Sequence, residues 1–456
     1  MCGIAGIVGR DAELSRPPLE RMQVALQHRG PDDRGSWTSP ASRMVSFVHT
    51  RLAVIDPTPA GHQPMSTPDG RLTISFNGEI YNFRALREEL ERRGVRFQTR
   101  TDTEVILHAY DAFGVGCLCR LRGMFAFALW DERERTCLLA RDVFGLKPLY
   151  FHHAANGSLV FASEVRALQA SRLVPTSVNA QALYGYLRTG SVAEPETLLN
   201  DVHALEAGHY ALWRGGVLRT QRYWALQFPQ SPAANGHAVE SLREALRDSV
   251  RHHFVSDVPV ALFLSGGVDS AVVLALARAN GLAAVKTFSL SFPGSELDEG
   301  PLARRTAEHF SADHTACDMD AVTARNLFPQ YLSAVDQPSI DGFNTFVVSK
   351  CVRESGLKVA LSGVGADELF GGYASFGRVP QMAEWNQQLS WTGPVRTVGG
   401  WMLERFAPGP RWRRVGDLLV LQEGQARERQ DMPGEKATGE RAQHEHDHHQ
   451  RKEDIL

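Results

Sequence analysis

The apolar run ValProValAlaLeuPheLeu (258–264) passes directly into SerGlyGlyValAspSer (265–270) and then into helical spacing over Ser270–Ala279. A buried strand that turns through glycines into a helix commits its surroundings to a layered α/β arrangement. Small residues at such a turn let backbone N–H groups approach a phosphate, and the helix N-terminus favours negative charge. The GxxxxGK[ST] pattern is absent, so this is not a Walker A loop. Around it, segments alternate. Helices are expected at Val239–His253 and Glu299–Phe310, and strands at Val258–Leu264, Lys286–Phe292 and Lys358–Ser362. That alternation predicts a parallel, doubly wound sheet. A second glycine-rich block, LeuSerGlyValGlyAlaAspGluLeuPheGlyGlyTyr (361–373), follows the last of these strands. Asp269 and Asp367 are oxygen donors of the kind Mg2+ prefers beside phosphates. The alternative for Asp367 and Glu368 is a pair of acids facing a helix dipole.

Residues 2–213 read differently. SerPheAsnGlyGlu (75–79), MetPheAlaPheAlaLeuTrp (124–130) and LeuValPheAlaSer (159–163) look like strands, with helical spacing at Glu20–Gln27 and Phe83–Arg93. This mixture predicts an α+β layering with mostly antiparallel sheet. The segment ProGlnSerProAlaAlaAsnGly (229–236) is a linker candidate. From Glu423 to Leu456 only 6 of 34 residues are hydrophobic and 15 are charged, too little apolar surface to offset the entropy of ordering, so a disordered tail is expected. HisGluHisAspHisHis (444–449) in that tail reads as solvated rather than metal-binding.

Composition excludes several classes. Lys+Arg 49 against Asp+Glu 52 leaves net charge −3, so no broad basic surface for nucleic acid is implied. No apolar run reaches the roughly 18 residues of a membrane span, and the first residues lack a signal-peptide pattern. Six cysteines without a CxxC pair fit a reduced, cytoplasmic setting.

Cys2 directly follows Met1. Removal of Met1 would leave its α-amine free to act as general base for its own thiol, an activation that an ordinary thiol needs. The alternative is a small apolar residue opening the buried strand CysGlyIleAlaGlyIleVal. Arg51 can clamp a carboxylate, Asn77 and Gly78 can donate to an oxyanion, and Glu79 and Asp102 can accept from an ammonium. Each has a plainer reading: AsnGly is a common hairpin turn and Asp102 a helix N-cap.

Together these residues resemble the class II, N-terminal-nucleophile glutamine amidotransferases. The resemblance extends through HisArgGlyProAsp (28–32), ArgGlyMetPheAlaPheAla (122–128), ArgAspValPheGlyLeuLysProLeuTyr (141–150) and AlaSerGlu (162–164). It implies that Cys2 attacks the glutamine amide, Arg51 holds its carboxylate, Glu79 and Asp102 hold its amine, and Asn77 with Gly78 form the oxyanion hole.

The strand–SGGxDS–helix unit is similar to PP-loop ATP pyrophosphatases, and the order of the two halves resembles the glutamine-hydrolysing asparagine synthetase family. That resemblance implies an α+β glutaminase followed by an α/β doubly wound PP-loop domain, with ATP and Mg2+ used to adenylate aspartate and ammonia delivered internally. The ATP site implied is Leu264, Ser265, Gly266, Gly267, Asp269, Ser270, Leu290, Ser362 and Gly363, with Asp269 and Asp367 on the metal. Boundaries follow as 2–213, a connector at 214–238, an incomplete synthetase half at 239–422 and the tail at 423–456. The resemblance leaves room for a homodimer.

Three departures stand against it. Val364 occupies a position that is acidic in many asparagine synthetases. AspGlnProSerIleAspGlyPheAsnThr (336–345) resembles a bacterial subgroup whose acceptor varies, and Asp336 and Asp341 either contact substrate or cap a helix. The C-terminal block typical of the family is not found. Two alternatives therefore stay open: amidation of another carboxylate, in a sugar acid, peptide or natural product, and a truncated chain with glutaminase activity alone that serves as a partner or regulator.

Overall fold

A computed structural model describes residues 1–227, 238–282, 284–296 and 298–388. The linker candidate at 229–236 and the charged tail, with its histidines at 444–449, lie outside the described residues. The chain divides into two compact units, Met1–Val364 and a second beginning at Gly365.

The first half of the larger unit holds twelve strands. In chain order they are β1 (Gly3–Val8), β2 (Asp33–Thr38), β3 (Val45–Arg51), β4 (Met65–Ser66), β5 (Leu72–Ile80), β6 (Gly123–Asp131), β7 (Thr136–Arg141), β8 (Tyr150–His153), β9 (Leu159–Ala162), β10 (His203–Ala204), β11 (His209–Arg214) and β12 (Val217–Arg222). They form two six-stranded sheets, β10-β8-β9-β1-β3-β2 and β12-β11-β7-β6-β5-β4. Every pairing in them is antiparallel. β12 extends the second sheet into the stretch expected as a connector.

Strand alternation sorts the side chains into layers. Ile4, Val8, Val45 and Phe47 of one sheet meet Ala126, Ala128, Trp130 and Leu139 of the other. Ile7, Val48 and Val160 face Leu19, Met22 and Leu26 on the outside of the first sheet. Leu72, Ile74, Phe76 and Ile80 face the helices Phe83–Arg92 and Asp102–Phe113 on the outside of the second. The result is helix, sheet, sheet, helix. The N-terminal helix runs Ala12–Ala25 and contains Pro17 and Pro18. The helical spacing read from the sequence begins eight residues later, at Glu20; Pro17 and Pro18 lie inside the helix despite the cost prolines usually carry there.

The other half carries β13 (Val260–Phe263), β14 (Lys286–Ser291), β15 (Asp313–Asp318) and β16 (Val359–Leu361). All pair in parallel, in the order β15-β14-β13-β16. Leu262 packs with Val250, Leu274 and Ala303 on one face, while Ala261 packs with Phe288, Val348 and Val352 on the other. Helices on both faces make the sheet doubly wound. The chain moves outward from β13 to β15 and returns to the opposite side of β13 with β16. The order therefore reverses at β13, the switch point where such sheets bind ligands.

The two halves of the larger unit are bonded together. Asp56 N–H donates to Asp257 Oδ2 (2.8 Å), Asp257 N–H to the Val54 carbonyl (3.1 Å), and Lys358 Nζ to Asp32 Oδ2 (2.7 Å). Asp336 accepts from the N–H groups of Val165 (2.7 Å) and Arg166 (2.9 Å). It thus caps the helix Val165–Ser171, whose own N-cap residue Glu164 makes no capping bond. Of the two expectations for Asp336, this is the capping one, but the capped helix belongs to the other half.

Cys317 and Cys351 are disulfide-bonded, with Cα atoms 6.5 Å apart. This departs from the expectation of six reduced cysteines. β15 and the helix Phe343–Glu354 bring together two residues 34 apart in sequence, a proximity that spacing alone does not reveal. Among the described residues, no helix is long and apolar enough to cross a membrane.

Candidate active site

Strand parity gathers the first set of candidates. Ile4 and Val8 point between the sheets, so Cys2 does too. β1 pairs with β3 with Gly3 opposite Thr50, which sets Cys2 across from Arg51 at the strand ends. The odd positions of β5, Ser75, Asn77 and Glu79, face the same space, and a contact of 3.2 Å between Ser75 Oγ and His49 Nδ1 ties β5 to β3.

The Cys2 thiol is held by the backbone of Leu52. Its Sγ accepts from Leu52 N–H at 3.4 Å and donates to the Leu52 carbonyl at 3.6 Å. The Cys2 carbonyl accepts from Arg29 Nε at 2.9 Å. Burial pushes the thiol up, while the neighbouring α-amine, the Leu52 bond, Lys147 and Arg29 pull it down. Burial also brings the α-amine of Met1 down to about 5.

Asn77 and Gly78 lie in the middle of the nine-residue strand β5, so the hairpin-turn reading of AsnGly does not hold. Asn77 is 1% exposed, and neither its Oδ1 nor its Nδ2 has a partner. A buried amide left unsatisfied costs about 1–3 kcal/mol, so it marks a place built for a ligand or strain. Gly78 adds a second donor. Tyr81 N–H donates to the Arg122 carbonyl, so alternation turns the N–H groups of Phe76, Gly78 and Ile80 to the other edge of β5. There Phe76 N–H donates to Gln63 Oε1 (2.7 Å) and Ile80 N–H to Asp102 Oδ2 (2.9 Å). Gly78 N–H, between them, has no acceptor among the described residues. A Cβ at Gly78 would stand 2.2 Å from the Met124 carbonyl oxygen. Gly78→Ala is therefore expected to cost about 1–3 kcal/mol of stability through forced separation of β5 from β6, and to lose glutaminase activity. Thermal unfolding and glutamate release check both.

Asp102 is not the helix cap. Thr101 is, its side chain accepting from Glu104 N–H. Burial raises Asp102 to about 7, against the Ile80 bond that lowers it. Glu79 is 8% exposed. Burial raises its carboxyl, and Lys147 with the α-amine pulls it back. Lys147 had no assigned role in the sequence reading, although it lies in the quoted block 141–150. The Arg51 guanidinium donates to the carbonyls of Thr58 (2.8 Å), Asp56 (2.5 Å) and Ile55 (3.4 Å). Gly61 leaves room for it, since a Cβ there would stand 1.8 Å from Nη2. That requirement was not legible in the sequence. A guanidinium so braced is fixed in place with donors to spare. Arg51→Ala is expected to raise the glutamine KM by about tenfold to 150-fold, from a lost charge-assisted contact of about 1.5–3 kcal/mol, with kcat little changed. A large kcat fall at constant KM would contradict the placement.

The second set sits at the switch point. Leu264 N–H donates to the Phe288 carbonyl. Ser270 Oγ accepts from Ser265 N–H (3.1 Å) and Ser265 Oγ from Gly267 N–H (3.1 Å), so the serines shape the loop. Gly266 N–H donates to Glu299 Oε2 at 3.0 Å. Glu299 was not among the sequence candidates and places a carboxylate on the loop. The two loops meet here, because a Cβ at Gly363 would lie 3.1 Å from Ser270 N. Ser362 Oγ accepts from Val364 N–H. Leu290 lies on β14 beside Cys317 of β15. The helix Val268–Ala279 has Gly267 at its N-cap, and Asp269 lies in its first turn with no hydrogen-bond partner among the described residues. Asp367 lies in the short helix Ala366–Phe370 of the second unit, in its first turn. Among the described residues no group of three or more His, Cys, Asp or Glu could hold a metal. A Mg2+ bound by one or two carboxylates plus substrate phosphates needs no such group, and the unpartnered Asp269 carboxylate fits that use.

A glutamine amidotransferase domain family matches residues 1–224, and an asparagine synthase family matches 241–456. A putative glutamine-hydrolysing asparagine synthetase of Mycobacterium bovis is 37% identical over 82% of this chain and 61% of its own length. Asparagine synthetase 1 of Bacillus subtilis is 33% identical over 93% of this chain and 68% of its own. An amidase of Gibberella zeae is 32% identical over 82% and 60%. The chain thus spans about three fifths of the length of several of the curated relatives it matches. An antiparallel two-sheet half with Cys2 at its strand mouth, a doubly wound half with SGGVDS at its switch point, and these identities lead to one conclusion: the chain belongs to the glutamine-hydrolysing asparagine synthetase family.

Proposed function

We propose that the chain transfers the amide nitrogen of glutamine to a carboxylate activated by ATP, with aspartate as the acceptor and asparagine as the product. Cys2 Sγ attacks the side-chain carbonyl of glutamine while its α-amine, freed by removal of Met1, takes the thiol proton. Negative charge collects on the former carbonyl oxygen between Asn77 Nδ2 and Gly78 N–H. The C–N bond breaks, the amine returns the proton to the leaving ammonia, and water cleaves the thioester to give glutamate. Arg51 holds the substrate carboxylate, and Glu79 with Asp102 its ammonium. In the other half, Leu264, Leu290, Ser362 and Gly363 border the nucleotide and 265–270 cradles its phosphates. A Mg2+ beside Asp269 would neutralise charge on departing pyrophosphate; Asp367, in the second unit, keeps its metal role only as the expectation from the sequence. The half boundaries and the cytoplasmic setting expected from the sequence belong to this proposal.

The observation that carries the reading is the pair of unpartnered donors, Asn77 Nδ2 and Gly78 N–H, on the strand facing the Cys2 thiol. A second acceptor class, a carboxylate other than aspartate, is favoured by the amidase of Gibberella zeae, a relative nearly as similar as the synthetases. Purified protein given ATP, Mg2+, glutamine and single carboxylic acids separates the two. Pyrophosphate release that depends on aspartate supports the first, and release that ignores aspartate but follows another acid supports the second.

A further inference from the structure

A buried lysine and a buried glutamate stand in the glutamine site without pairing. Lys147 is 7% exposed and Glu79 8%, yet no ion pair joins them and neither head group has a hydrogen-bond partner among the described residues. Unpaired buried charges are expensive, so each serves something outside the resting chain. Glu79 has a candidate in the substrate ammonium. Lys147 does not. The backbone that presents it is over-determined. Asp142 accepts from the N–H groups of Phe125, Phe144, Leu146 and Lys147, and the Lys147 carbonyl accepts from Arg141 Nε at 2.9 Å. The turn is thereby locked, while the ammonium makes no hydrogen bond among the described residues.

Resting on the amidotransferase reading, we propose that Lys147 is a positioning residue of the glutaminase site, its fixed positive charge offsetting the negative charge that arises on Cys2 during attack and that Glu79 carries while it holds the substrate amine. The charges facing Cys2 are the α-amine of Met1, Lys147 and Arg29; those facing Lys147 are Glu79, Arg29, Cys2 and Asp142. Arg29 spends its donors on the Cys2 carbonyl and on Glu164 (2.8 Å). Lys147 is the cation of the set with no such bond. Its burial lowers its own affinity for a proton, and Glu79 restores part of it.

The test is the pH dependence of Cys2 alkylation by iodoacetamide in the full chain, followed on the Cys2 peptide by mass spectrometry. This readout does not need glutaminase activity. Lys147→Met is expected to move the alkylation midpoint up by about one pH unit, a tenfold loss of thiolate at pH 7. Lys147→Arg is expected to keep the parent profile and most of the glutaminase kcat. Glutamine KM should rise in the methionine variant along with the fall in kcat, since Glu79 loses its counter-charge. An unchanged midpoint in folded Lys147→Met overturns the proposal. If that variant does not fold, Lys147→Arg decides alone, and a shifted midpoint with charge retained overturns it. A parent that alkylates normally but does not hydrolyse glutamine removes the amidotransferase reading, while the alkylation profiles still decide for or against Lys147.

Discussion

Cys2→Ala is expected to abolish glutamine hydrolysis and to leave ammonia-dependent ligation within about twofold of the parent. In the proposed reaction the thiol forms the bond that splits glutamine, and no other described cysteine is placed to replace it. Cys117 and Cys137 are buried in cores, Cys137 between the sheets and Cys117 beneath the helices, and Cys119 is exposed elsewhere. Ammonia supplied from solution bypasses the first half entirely. Alanine is small enough for the Leu52 pocket, so the fold should persist. Glutamate release and ammonia-driven pyrophosphate release, measured side by side, check the division. Joint loss of both would show that Cys2 supports the fold or the second site.

Asp269→Asn is the second large effect, and it runs the other way. It is expected to remove most ATP-dependent activity while glutamine hydrolysis continues. Pyrophosphate gains negative charge as the acyl-adenylate forms, and a carboxylate-held Mg2+ stabilises that charge where a neutral amide holds the ion less well. The competing role is helix capping, for which asparagine and aspartate are about equal. Gly267 occupies the N-cap position of Val268–Ala279, and no side-chain capping bond is made there. Pyrophosphate release within about twofold of the parent would therefore remove the metal assignment.

How much of this was legible in the sequence depends on whether the signal was local. The ValProValAlaLeuPheLeu–SerGlyGlyValAspSer junction and the alternation after it carried the parallel sheet, because buried strands and glycine turns are written in consecutive residues. AsnGlyGlu at 77–79 was legible as chemistry but ambiguous as structure. Only the pairing of β5 with β6 rules out a hairpin turn. Asp102 carried two readings, an ammonium acceptor and a helix cap; Thr101 one residue earlier takes the cap, and Asp102 instead accepts from Ile80 N–H. Lys147 and Glu299 were missed for a different reason. What singles them out is their surroundings, the groups near Lys147 and the loop Gly266 N–H that Glu299 accepts from, and no spacing rule records that. The same holds for Asp336, whose partners are some 170 residues away, and for the Cys317–Cys351 bond. Gly61 shows the limit most plainly: its lack of a side chain matters only because Arg51 fills the space.

The central claim is that one chain moves the amide nitrogen of glutamine onto an ATP-activated carboxylate. Glutamine labelled with 15N in its side-chain amide, incubated with the protein, ATP, Mg2+ and aspartate, tests it directly. The account predicts 15N in the side-chain amide of asparagine, formed one-for-one with pyrophosphate and lost on Cys2→Ala. Labelled ammonia and glutamate released with neither pyrophosphate nor labelled asparagine would contradict it.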